Sequence, residues 1–269
     1  MIDLLLRTIV KWLLLLRYRV RLVGMEKIAA GGKRGIVFFP NHPALIDPVI
    51  LYTYLHPVFD IHGIGDRDQV EQPVIGWFAK RLGVRAIGSI ALYGSAVRNE
   101  IERVLDESIA GLKRGENLIL WPAGQIYRSY LENLRGNSSV ERILQQHPDV
   151  RVVLIRTRGL WGSRFGWASG PAPQVGKVLS RGVLQLLASG IFFAPRREIT
   201  IEFYEPPNLP RTADRNTLNR FLEAYYNENA PQAKYVPHTI WERGVARAMP
   251  EPALPKLTGD ETSVPVATR

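Results

Sequence analysis

The stretch "IVFFPNHPALIDPVI", residues 36–50, decides how the chain is read. The run Ile36-Val37-Phe38-Phe39 has the continuous apolar character of a strand buried on both faces, and Pro40 is expected to end it. His42 then falls at the C-terminal edge of a sheet, in the loop leading to the next helix. In open α/β sheets that edge is where ligands bind. Asp47 follows five residues later, close enough to fold back onto the imidazole.

With 269 residues the chain can bury a sizeable core in one main domain. It contains no cysteine, which excludes disulfides, thiolate metal sites and a cysteinyl acyl intermediate. The net charge of +10 is unevenly placed: residues 1–34 hold eight Lys/Arg against two acids, about +6 of that total. A basic end of this kind points to nucleic acid or to an anionic membrane surface.

The first residues, "MIDLLLRTIVKWLLLLRYRVRLVG", favour the membrane. Asp3, Arg7 and Lys11 share one helical face at i, i+4 spacing, and Arg17, Arg19 and Arg21 close the segment. Its longest uncharged run, Trp12 to Leu16, is far shorter than the roughly 20 residues that span a bilayer. Charges interrupt what would be the apolar core of a signal peptide. A basic helix carrying Trp12, Leu and Ile suits the interfacial plane of a membrane. The alternative is an amphipathic helix docked on the domain's own core. Nucleic acid is disfavoured, because apolar residues outnumber basic ones here and no binding motif follows. Residues 1–24 are therefore expected to form an N-terminal amphipathic membrane-contacting helix, and the protein to sit peripherally or monotopically on a membrane.

Strand-like and helix-like segments alternate beyond it. Strands are expected at 58–65, from Val84, at "NLILWP" from Asn117, at 150–157 and, near a sheet edge, at 198–206. Helices are expected at 70–83, at 95–115 with Ser95 as N-cap and Gly115 just past the end, and at "ADRNTLNRFLEAYYNENA". The stretch Gly182 to Pro195 is apolar but too short to span, so it reads as core or as a second membrane-contacting element. This alternation implies an α/β layered fold with a largely parallel central sheet flanked by helices, over residues 25–245. Residues 246–269, rich in Pro, Thr and Ala, read as a disordered tail or linker.

A His with an Asp five residues on supplies a general base and the carboxylate that fixes its tautomer. A His capping the following helix is the plain alternative. A metal site is the other, since His42, Asp47, His56, Asp60, His62, Asp66 and Asp68 crowd one stretch. It is discounted: His56 and His62 are expected at opposite ends of the next strand, and no His-x-x-x-His spacing occurs.

"FFPNHPALIDP" resembles the first signature of the glycerophospholipid acyltransferase family, a strand running into Asn-His-x4-Asp. "PVIGWFAKRLGVRAIG" (73–88) resembles the family's next segment, and "LILWPAGQIYRS" (118–129) its third signature, an apolar strand followed by a Phe-Pro-Glu-Gly loop. The resemblance covers roughly residues 30–245 and comes nearest to the bacterial 2-acylglycerophosphoethanolamine acyltransferase domain, which can be fused to an acyl-carrier-protein synthetase. It implies transfer of a fatty acyl group from acyl-CoA or an acyl carrier protein to a hydroxyl of a lysophospholipid or related glycerolipid, at the cytoplasmic face of a membrane. His42 would be the general base oriented by Asp47. Asn41, Pro122, Gly124, Arg128 and Ser129 would line the substrate. The resemblance calls for no metal and no organic cofactor; an associated or fused acyl-activating module is the partner it suggests.

The chain departs from the family at Ala123, where the third signature has Glu. The Arg that usually follows closely is displaced to Arg128, and "GSIALYGS" (88–95) stands where an Asp-Arg pair is usual. These groups are expected to hold the acceptor's phosphate, so a non-catalytic lipid-binding or scaffold relative is the alternative. Arg128 leads Arg85 and Arg98 as the phosphate ligand, against the reading that it pairs with Glu132 on a following helix turn.

Overall fold

A computed structural model of the chain describes residues 2–67, 84–88, 98–242 and 244–251. Ile36–Pro40 forms strand β2, buried along its whole length near the middle of a seven-stranded sheet. Its side chains alternate between two cores, as strand geometry requires. Ile36 and Phe38 face a cluster with Ile50, Leu51, Leu55 and Phe59 of helix α3 (Asp47–Phe59). Val37 and Phe39 face the other, with Leu105, Ile109 and Leu112 of α4 (Arg98–Lys113), Ile143 and Leu144 of α5 (Ser139–Gln146), and Leu218 and Leu222 of α7 (Arg215–Asn227). A strand covered on both sides needs apolar residues at every position, which explains the unbroken run.

The other strands are β1 (Tyr18–Val23), joined to β2 through the short helix α2 (Met25–Ala30), β3 (Ile61–Asp66), β4 (Val84–Ile87), β5 (Asn117–Ile119), β6 (Arg151–Arg158) and β7 (Arg197–Tyr204), in the order β1-β7-β6-β2-β5-β3-β4. From β6 to β4 all neighbours are parallel; β7 runs antiparallel to β6 and β1 parallel to β7. The expected α/β fold with a largely parallel sheet is therefore the one found. Buried Asn117 ties its lower end together, accepting from the Ile36 N–H at 3.0 Å and donating to the carbonyls of Lys33 and Phe59.

Four expectations are corrected. The N-terminal helix, α1 (Ile2–Arg17), stops short of residue 24, and Tyr18–Val23 is the edge strand β1. Val58 and Phe59 end α3 rather than open β3, because Asp60 takes a left-handed conformation (φ 47°) that stops the helix. His56 accordingly lies in the last turn of α3, not at a strand end. β7 is not at the sheet edge but sits between β1 and β6. Its alternation reflects one covered face: Ile199, Ile201 and Phe203 are buried while Glu198 and Tyr204 are exposed. The expected helix at 70–83 and the Ser95 cap lie outside the described residues, as does the tail beyond residue 251. Arg247–Ala248 (β9) pairs with Lys234–Tyr235 (β8), so order continues past residue 245.

α1 packs Val10 and Leu14 onto the core while Ile9, Trp12 and Leu13 remain exposed. Arg17 pins its end, donating to the carbonyls of Pro195, Val236 and Pro237. Helix α6 (Val175–Ala188) buries none of its residues. No helix among the described residues is long and apolar enough to cross a membrane.

Candidate active site

β2 and β5 are parallel neighbours, so the loops leaving their C-terminal ends meet at one edge of the sheet. His42 is in the first loop and residues 120–132 form the second. The ladder of β2 runs out at Asn41, whose N–H reaches the Ile155 carbonyl at 3.1 Å. A turn then closes between Ala44 and Asp47, with the Asp47 N–H on the Ala44 carbonyl at 3.1 Å. Pro48 stands in the first turn of α3, where its missing N–H costs nothing. Five residues of spacing thus carry Asp47 back beneath His42.

The Nδ1 of His42 lies 2.9 Å from Oδ2 of Asp47. Asp47 is fully buried, and its oxygens also accept from the Ala44 N–H at 3.2 Å and the Trp121 indole N–H at 3.1 Å. Burial pushes its carboxyl above the ordinary range, while His42, Ala44 and Trp121 pull the other way. With the carboxylate as acceptor, Nδ1 carries the proton and Nε2 presents its lone pair. Nε2 has no protein partner among the described residues, and the side chain keeps 14% of its surface exposed. The Trp121 ring lies against the imidazole, centroids 5.5 Å apart. An oriented imidazole with one open nitrogen is equipped to take a proton from a hydroxyl.

Asn41 is held within the protein on three sides. It is fully buried, its amide accepting from the Thr157 N–H at 2.7 Å and donating to the Thr157 carbonyl and the Tyr127 hydroxyl. It braces β2, β6 and the second loop against one another. That second loop is fastened directly to the first, since the Tyr127 N–H meets the His42 carbonyl at 2.9 Å. Pro122 is buried; Gly124 is exposed in a left-handed turn (φ 67°) that favours glycine, its N–H on the Trp121 carbonyl at 3.0 Å. Ser129 is engaged locally: its hydroxyl donates to the Leu131 carbonyl at 3.2 Å and accepts from the Leu131 N–H at 3.3 Å.

Arg128, next to Tyr127, lies with its guanidinium 5.1 Å from the centroid of the Trp167 ring. No acid pairs with it among the described residues. The alternative pairing with Glu132 does not occur: residues 128–132 are not helical, and Glu132 is buried beneath His42 instead. Arg85 is already engaged with Ser108 at 2.9 Å and near Glu116.

Glu132 and Trp121 are the residues that sequence reasoning passed over. Oε2 of Glu132 accepts the His42 backbone N–H at 2.8 Å, and burial, with Asp47 and Glu223 nearby, pushes its carboxyl up to about 8. Trp121 could have been flagged, because an indole N–H at the end of a buried strand requires a partner. Among the described residues no group of three His, Asp or Glu side chains is placed to hold a metal ion.

The fold is similar to that of the 1-acyl-sn-glycerophosphate (LPA) acyltransferase PlsC from Thermotoga maritima. The TM-score is 0.53 at 17% identity, covering 82% of this chain and 73% of that one. None of the curated proteins matches the sequence. The acyltransferase family pattern matches residues 19–157, just over half of the 269 residues, and so takes in His42, Asp47 and the whole 118–129 segment. The chain belongs to the acyltransferase family.

Proposed function

We propose that the protein is an O-acyltransferase that moves a fatty acyl group from acyl-CoA or an acyl carrier protein to a hydroxyl of a lysophospholipid or related glycerolipid at a membrane surface. The observation that carries this reading is the His42–Asp47 contact of 2.9 Å, with Asp47 locked from below and Nε2 of His42 open. Nε2 takes the proton of the acceptor hydroxyl as its oxygen attacks the thioester carbonyl carbon. Asp47 holds the imidazolium that forms. The tetrahedral intermediate then expels the thiolate, which recovers the proton from His42, leaving an ester and a free thiol. The chain has no cysteine to form a thioester with the acyl group, and direct transfer needs no acyl-enzyme.

Support for the membrane comes from two exposed apolar surfaces. On α1 these are Ile9, Trp12 and Leu13; on α6 and its tip, Leu184, Leu187, Phe192 and Phe193, the last two 70% and 72% exposed. Residues 171–197 contain no acid, while Lys177, Arg181 and Arg196 are exposed among them. Apolar residues flanked by cations match an anionic bilayer surface at the cytoplasmic face. These residues of 182–195 are exposed and are not core.

The deciding experiment follows thiol release from acyl-CoA with vesicle-borne lysolipid. Wild-type protein should release thiol and His42→Ala should be slower by about 10²–10⁴-fold. Vesicle binding without thiol release would assign the protein to a lipid-binding scaffold instead.

A further inference from the structure

We infer that Glu132 is a positioning residue for His42: its carboxyl fixes the peptide plane from which the imidazole projects. The His42 N–H lies just beyond the end of the β2 ladder, where no strand partner remains, and Oε2 of Glu132 takes it at 2.8 Å. The other oxygen, Oε1, accepts the Asn133 N–H at 3.2 Å. The backbone of Glu132 is gripped from both sides by one side chain of α7. Its N–H donates to Oδ1 of Asn227 at 2.7 Å, and its carbonyl accepts from Nδ2 at 2.9 Å. The neighbouring Tyr226 hydroxyl donates to the Phe39 carbonyl at 2.8 Å, so α7 fastens the same strand end a second time.

The side chain is buried, and no cation pairs with it among the described residues. A carboxyl in that setting is not there for an ion pair. Its raised affinity for a proton fits a group that works as a neutral acceptor. A buried N–H left without an acceptor is costly, and the loop would turn to rescue it. Because the Asn41–His42 peptide plane sets the direction of the His42 side chain, such a turn would lengthen the Asp47 contact and shift Nε2. Displacement of about 1 Å in a reacting group can cost about 10²-fold.

This inference rests on the general-base reading of His42, and the test separates the two. Glu132→Gln keeps an oxygen for the His42 N–H, whereas Glu132→Met keeps the shape without the acceptor. In the acyl-CoA thiol-release assay Gln should stay within about threefold of wild type, and Met should lose about 10–10²-fold in kcat with both KM values nearly unchanged. Amide hydrogen exchange at His42 should be slow in wild type and Gln and fast in Met. Equal kcat in Gln and Met, or equal His42 exchange in all three proteins, would overturn the inference. If Met does not fold, a folded Gln variant with kcat down more than tenfold would overturn it, since charge and not the acceptor would then matter. If wild type shows no turnover, the functional reading fails while the exchange comparison still decides the role of Glu132.

Discussion

Trp121 donates its indole N–H to Oδ1 of Asp47 at 3.1 Å, while Oδ2 of the same carboxyl faces the His42 Nδ1 at 2.9 Å. A residue just past the end of β5 thereby holds the carboxyl that orients the imidazole just past the end of β2. Trp121→Phe keeps the ring against the imidazole and removes the donor. The loss of a hydrogen bond to a buried charged group costs about 1.5–3 kcal/mol. A comparable share falling on the transition state gives a fall in kcat of about 10–10²-fold, with KM for acyl-CoA little changed. Asp47→Asn should fall further, because an amide that donates toward Nδ1 selects the wrong tautomer. Steady-state kinetics with thiol detection ranks the two; Trp121→Phe as damaging as Asp47→Asn would mean that the ring, not the bond, is what matters.

The legible parts of the fold were those whose burial is complete or strictly one-sided. Ile36–Phe39 and Val152–Ile155 are apolar at every position because helices cover both faces of the sheet there. His42 and Asp47 were legible because a prolyl strand end and a short return turn are local features. β1 was missed because "YRVRLV" follows an apolar helix without a break, although its alternation of Arg with Val and Leu is that of a strand covered on one side. Glu132 could not be found locally. Its burial is created by Asn227, 95 residues away, and nothing in "YLENLRG" distinguishes it from a surface acid. The partners of Asn41, Thr157 and Tyr127, likewise come from distant segments.

Membrane contact should depend on both exposed apolar surfaces. Truncating the first twenty residues is a poor test, since it removes Leu14 from the core, Arg17 from its carbonyl cluster and part of β1. Trp12→Glu with Leu13→Glu, and separately Phe192→Glu with Phe193→Glu, leave those contacts in place. Each pair should shift the protein from sedimenting anionic phosphatidylglycerol vesicles toward the supernatant, and the four together should abolish sedimentation. Binding by wild type should weaken as salt rises, because the flanking cations act within a Debye length of about 8 Å at physiological ionic strength. Unchanged sedimentation of the quadruple variant would place the contact elsewhere.

Stability should fall with pH through Glu132. Its folded-state value of about 8 lies above the ordinary 4.5, so between those values the folded protein holds a proton that the unfolded chain releases. The contribution is fully present below about 4.5 and is lost as pH rises through about 8, at about 1.4 kcal/mol per pH unit. The groups facing the carboxyl are His42 and Tyr127 from the loops, Asp47 from the start of α3, and Glu223 and Tyr226 from α7. They are common to wild type and Glu132→Gln, so the difference between the two isolates this proton. Urea unfolding at several pH values from 5 to 8 should show wild type losing ground steadily to the Gln variant; parallel curves would mean that Glu132 is already ionised in the fold.

Arg128 should set the affinity for a phosphate-bearing acceptor. The adjacent Tyr127 is bonded to the His42 carbonyl, which fixes the Arg128 backbone beside the His42 loop. Its guanidinium rests on the face of Trp167, 5.1 Å from the ring centroid, and is not consumed by an acid among the described residues. A guanidinium over an aromatic face can still donate through its N–H groups, and two parallel N–H bonds suit a phosphate better than one ammonium does. Ala123 places no carboxylate in the same loop to compete for it. Arg128→Ala should therefore raise KM for a lysophosphatidic acid acceptor by about 10–10²-fold, the worth of a charge-assisted bond or two. KM for acyl-CoA should move far less. Arg128→Lys should recover only part of the loss, because the paired geometry is gone. Trp167→Leu should weaken acceptor binding through Arg128 alone, so its effect should vanish when Arg128 is already Ala. An acceptor KM unmoved by both Arg128 variants would leave this guanidinium a surface group that merely covers Trp167.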